Sequence, residues 1–189
     1  MTPDMNLQQA SPPPAVDGLA RWLAMRGLQG LPVEEQVDGF CRRVIETGFP
    51  ARRFNMSIGT LHPRHGAHSY IWTPDGIATA VFPRRRSDDE SEAYRRSPIY
   101  HLRRSGLVRL RRRLDTGAPD DFPVLAELRA AGMTDYAARL VPFDGVDAAT
   151  LHMETDATDP DRSDALQGIF FSCATDAPGG FDEGHLLQV

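Results

Sequence analysis

Lysine is missing altogether: all 21 basic residues of this 189-residue chain are arginine. That reads as the coding bias of a GC-rich bacterial genome, not as a demand for guanidinium chemistry. Cysteine is almost missing. Cys41 and Cys173 each sit inside an apolar pattern, which makes them small buried hydrophobes of a reducing cytoplasm and excludes a disulfide framework. No stretch approaches the roughly 20 apolar residues of a membrane-spanning helix. The start, "MTPDMNLQQASPPP", has neither the basic end nor the apolar centre of a secretory signal. A basic excess is absent too: 21 basic against 26 acidic residues leave a net charge of −5, which speaks against a general nucleic-acid binder.

Catalytic signatures are also lacking. There is no GxSxG, no P-loop, no GxGxxG and no cysteine in an activating context. Asp156, Asp159, Asp161 and Asp164 lack the glycine and the closing glutamate of a calcium loop. The chain is read as non-enzymatic, and its residues assign no cofactor.

What is present is a succession of amphipathic segments. Residues 1–15 form a polar, proline-rich lead-in too poor in apolar surface to order itself. Val16, Leu19, Ala20 and Leu23 make a helical stripe that the spacing ends near Met25 and Gly27. Val33, Val37, Phe40, Cys41, Val44 and Ile45 predict a helix over 33–47, stopped by Gly48. The period then drops to two. Phe54, Met56 and Ile58 alternate with Arg53, Asn55 and Ser57, and "HSYIW" and "GIATAVF" flank a Thr73-Pro74-Asp75-Gly76 turn.

The stretch 84–96 reads as a solvated loop or short helix, and "SPIYHLRRSG" as helical turns capped by Ser97. "LVRLRRRL" alternates except at Arg112; "DDFPVLAELRAAG" is a helix; "TDYAARLVPF" and "ALQGIFFSCAT" are strands around an aspartate-rich excursion at 144–164. Hairpin-linked strands with helices at the start, middle and end predict an α+β fold, with a largely antiparallel sheet of about five to six strands flanked by helices.

Three groups are candidate sites. His62, His65 and His68 could ligate zinc or copper, but no HExxH base accompanies them, and Pro63 and Gly66 mark a turn of exposed histidines. Arg109, Arg111 and Arg113 share a strand face that could hold an anion such as a nucleotide; a solvated face balanced by nearby acids is the plainer reading. Tyr70, Trp72, Tyr100 and His101 each join an apolar body to a polar tip. They would line a ligand pocket if the 97–105 turns roofed the sheet; ordinary core packing is the alternative.

"GLQGLPVEEQVDGFCRRVIETGFPARRFNMSIGTLHP", "SPIYHL", "DFPVLAELRAAGMTDYAARLVPF" and "CATDAPGGF", in this order, resemble the N-terminal region of bacterial class III adenylate/guanylate cyclases, where a GAF-like sensory domain precedes the catalytic domain. The resemblance implies a GAF-like sensor domain over 16–181 and a connector helix that begins at 182 and is cut at 189. It also implies a cytoplasmic regulatory role: binding a small molecule or relaying a signal to a cyclase output domain that this chain does not contain. The alternative is a ligand-free dimerisation module that sets output geometry as a homodimer. A metal enzyme built on the three histidines ranks third.

Overall fold

The computed structural model describes residues 14–60, 65–83, 91–105, 107–115, 121–142, 168–182 and 184. Residues 1–13 of the 1–15 lead-in, His62, the 144–164 excursion and most of the connector therefore lie outside the described residues, while Pro14 and Ala15 are helical. In chain order the elements are α1 (Pro14–Leu28), α2 (Val33–Glu46), β1 (Arg53–Gly59), β2 (His65–Thr73), β3 (Gly76–Pro83), α3 (Glu92–Arg95), α4 (Pro98–Ser105), β4 (Arg109–Arg113), α5 (Pro123–Ala130), β5 (Asp135–Pro142) and β6 (Gly168–Thr175).

Helix α1 begins earlier than the apolar stripe predicts and runs past Gly27. Proline suits a first helical turn, and the left-handed residue after the helix is Gly30, at φ 65°. Helix α2 follows its stripe, with Gly48 left-handed at φ 94° beyond its end. In α4 the capping role of Ser97 holds: its Oγ accepts from the Tyr100 amide at 3.2 Å. Asp121 does not cap α5. Its carboxylate instead takes the Arg112 guanidinium at 2.6 Å.

The six strands form one antiparallel sheet in the order β3-β2-β1-β6-β5-β4. Two three-strand meanders thus meet along β1 and β6. Alternation gives the sheet two faces. One carries Phe54, Met56, Tyr70, Trp72, Phe171 and Cys173 and is covered over β1 and β2 by α2, with Val37, Cys41, Phe49 and Phe181 completing that core. The other carries Leu110, Tyr136, Ala138, Leu140, Phe170 and Ala174 beneath α4 and α5. We call these the α2 face and the α4 face. Among the described residues the helices roof each meander on one face, and the two roofs lie on opposite sides.

Both cysteines are free and buried in the α2-face core. Burial pushes both thiols up, Cys173 to about 12, so neither is a ready thiolate at neutral pH. Arg112 interrupts the strand alternation because it lies on the apolar side at the edge strand, where its guanidinium sits 5.8 Å over the Phe122 ring and pairs with Asp121.

A candidate ligand face and an arginine clamp

The four aromatic candidates do not converge. Tyr70 and Trp72 occupy alternate positions of β2 and both point under α2. The Trp72 indole Nε1 donates to Asp38 Oδ1 at 2.8 Å, and the Arg42 guanidinium lies 5.9 Å over its ring. Burial, with Glu34 adding to it, raises the Tyr70 phenol above its ordinary value. Tyr100 and His101 ride on α4, across the sheet: Tyr100 packs edge-on against Tyr94 and His101 against Phe122, each at 5.4 Å. A pocket walled by Tyr70 and Trp72 and roofed by α4 would need α2 and α4 on the same side.

Of the three histidines, two lie in described strand and His62 lies outside the described residues. His68 is not in a turn; it lies within β2 opposite Ile58, half-buried, and His65 opens the same strand just before a bulge. Among the described residues no three His, Cys, Asp or Glu side chains gather as a metal site.

Two of the three strand arginines are built into the C-terminal turn. Asp135, at the start of β5, is fully buried. It accepts from Arg111 Nη2 at 2.6 Å, from the Tyr136 amide at 2.9 Å and from the Phe181 amide at 3.0 Å. Arg111 also donates to the Phe181 carbonyl, and Arg113 to the Gly179 carbonyl. Arg113 pairs with Asp115 at 2.6 Å as well, and that guanidinium holds the Asp115 carboxyl below the usual range. These arginines therefore clamp the point where the chain leaves the sheet. Gly180 fits there because its φ is 75° and a Cβ would meet Asp135 Oδ2 at 2.5 Å.

The α4 face of the β1-β2-β3 meander contributes no described residue to either core. A polar row crosses it into β6 and β5. Ser57 Oγ donates to Ser69 Oγ at 3.0 Å, and Ser69 Oγ donates to Asn55 Oδ1 at 2.8 Å. Asn55 faces Ser172 across the β1–β6 pair, and Ser172 bonds the Tyr136 phenol, whose ionisation burial suppresses. Ser69 and Ser172 are buried; Asn55 and Ser57 are half-buried. Such a row offers hydroxyl and amide groups that each donate and accept. The polar phase of β1 was visible as Asn55 and Ser57; its continuation through Ser69 and Ser172 needed the strand register.

No protein-family model and no curated protein matches the chain. Among solved structures it is similar to the crystal structure of the phycocyanobilin-bound GAF domain from a cyanobacterial phytochrome, at 15% identity and a TM-score of 0.47, over 92% of this chain and 86% of that one. No helix among the described residues is long and apolar enough to cross a membrane.

Proposed function

We propose that this chain is a non-catalytic regulatory domain of the cytoplasm that binds a small molecule on the polar row of its α4 face. In this reading the domain passes the bound state through the Asp135–Arg111 clamp to an output domain. The observation that carries the reading is the hydrogen-bonded row Ser57–Ser69–Asn55, followed across the β1–β6 pair by Ser172, on a half-face that adds no described residue to either core. Hydrogen-bonding groups grouped on a sheet face orient a ligand, while the rest of a pocket supplies apolar contact. Tyr100 and His101, half-buried on α4, stand on that same side of the sheet and are its candidate rim. The resemblance of the 27–63, 97–102, 121–143 and 173–181 segments to cyclase N-terminal regions supports an adenylate/guanylate cyclase as the output.

Native mass spectrometry of untagged protein as purified tests the reading. We expect a stoichiometric small-molecule mass on the wild type and on Tyr70→Phe, absent from Asn55→Leu. A bare wild-type protein, or a mass that Asn55→Leu keeps, removes this site.

A second reading, a homodimerisation module, has its own support. Helix α1 packs on α2 through Trp22, whose ring lies 4.0 Å from the Arg43 guanidinium and fills the space beside Gly39. That leaves Met25 55% and Leu28 85% exposed. Sedimentation that shows a dimer lost on Leu28→Glu supports this reading; a monomer in both proteins ends it.

A further inference from the structure

Strands β1, β2 and β3 carry no aspartate or glutamate and a single arginine, Arg53, which opens β1. Phe54 and Met56 point under α2, so alternation puts Arg53 on the α4 face with Asn55 and Ser57. Its cross-strand row agrees. Arg53 pairs with Ala174 and Ala174 with Tyr136, a residue of the core beneath α4 and α5. Ala174 is small, and across it the Arg53 charge reaches the Tyr136 phenol, where it opposes the effect of burial. Arg53 is half-buried, yet among the described residues it has no ion pair, and its side chain makes no hydrogen bond or ring contact. Arg21, Arg104 and Arg109 also have no ion pair or hydrogen bond, but they are exposed and water serves them. The acids of α2, Glu34 and Asp38, act on Tyr70 and Trp72 on the other side of the sheet. A charge drawn out of water is normally paired. Here the described fold supplies no partner.

On the premise that the polar row is the ligand site, we propose that its ligand is a hydroxylated carboxylate, with the carboxylate on the Arg53 guanidinium and the hydroxyls on Asn55, Ser57 and Ser69. A planar guanidinium presents paired N–H donors that match the two oxygens of a carboxylate. Asn55 and Ser57 follow Arg53 along the same face at steps of about 7 Å, so they meet the uncharged body of the ligand. Their amide and hydroxyl groups both donate and accept, as hydroxyls do. The strands of this half-face bring no second arginine, which suits one negative charge better than the two of a phosphate monoester.

Two-dimensional NMR of the full chain decides the matter, with gluconate as the probe and sorbitol as its uncharged counterpart. The amides of Arg53, Asn55 and Ser57 and the Arg53 Nε–H resonance should shift saturably with gluconate. Sorbitol, which lacks the charge, and inorganic phosphate, which lacks the hydroxylated body, should each bind at least about tenfold more weakly, the worth of one charge-assisted contact. Arg53→Gln and Arg53→Met should each weaken gluconate by a similar factor, and Asn55→Leu should weaken it too. If neither arginine variant folds, the wild-type Arg53 Nε–H resonance decides: a saturable shift supports the contact and a still signal overturns it. Unsaturable shifts, or phosphate matching gluconate, overturn the proposal. Sorbitol matching gluconate, or gluconate affinity that Arg53→Gln leaves unchanged while Asn55→Leu lowers it, overturns the carboxylate and leaves the row as a ligand site. Gluconate binding that Arg53→Gln removes and Asn55→Leu keeps overturns both.

Discussion

The two meanders of the sheet share one architecture and differ in what holds and guards them. The β1-β2-β3 meander rests on aromatic packing under α2: Phe54 lies 5.8 Å from Trp72 and 6.0 Å from Phe49, with a part-buried indole bond to Asp38. The β4-β5-β6 meander adds a fully buried carboxylate and a ladder of arginines. Their edges differ accordingly. Strand β3 carries no charge over Gly76–Pro83, and Val81 and Phe82, on opposite faces, are both 52% exposed. Strand β4 is four-fifths arginine, with "RLRRR" as its whole length. Charge on an edge discourages pairing with another sheet, and an uncharged apolar edge invites it. One side of the domain is thus closed to strand addition and the other is open.

The largest expected effect is on the charged meander. Replacing Asp135 with Ala takes the carboxylate from the Arg111 guanidinium and from the Phe181 amide, and breaking a buried pair from one side costs about 3–5 kcal/mol. Urea unfolding should show that loss. A cost under about 1 kcal/mol would mean the clamp is not what secures this half.

Gly180→Ala should come next. The left-handed backbone alone costs a non-glycine residue about 1–2 kcal/mol, and the new methyl collides with Asp135. Only the part that comes from the Asp135 carboxylate should vanish in the Asp135→Ala background; the backbone cost and the approach to the residue-135 Cβ remain. Full additivity in that double mutant would separate the turn from the clamp.

On the apolar meander the expected signal is in pH. Arg42, and then Trp72, hold the Asp38 carboxyl below its ordinary value, against the opposing effect of burial. A depressed carboxylate contributes stability above its unfolded pKa and loses it as pH falls through the folded pKa. Tryptophan fluorescence and stability should therefore fall together below about 3.8, the ordinary value of an aspartate carboxyl. Asp38→Asn, which keeps an acceptor for the indole, should flatten that step; an unchanged acid profile would deny the bond a role.

The smallest effect on stability, within about 0.5 kcal/mol, belongs to Val81→Lys, an exposed edge position. Its readout is association: light scattering at high concentration should drop in Val81→Lys, whereas Arg113→Val on the other edge should raise it. Equal scattering in all three proteins would erase the contrast between the edges.

The elements themselves were largely legible. The stripe from Val33 to Ile45 predicted α2, and the alternation of Phe54, Met56 and Ile58 against Asn55 and Ser57 separated the two phases of β1. Tyr70 and Trp72 alternate along "HSYIW" and share one face of β2, yet nothing in that segment says which helix covers the face. Arg139 sits in the polar phase of "YAARLV", a readable signal, but its partner across the pair, Arg109, is a matter of register.

By itself, then, the sequence determined the α+β class, the approximate positions of most helices and strands, the two phases of β1 and the burial of both cysteines. Those properties follow from period and from local backbone preference, which act over a few residues. Only the tertiary structure decided that the two meanders are roofed on opposite faces, that Arg111 and Arg113 reach carbonyls of the turn after β6, and that Ser57, Ser69, Asn55 and Ser172 form one row. Each depends on strand register and on the side to which a crossing helix returns. These are set by packing between segments far apart in the chain, which no local pattern encodes.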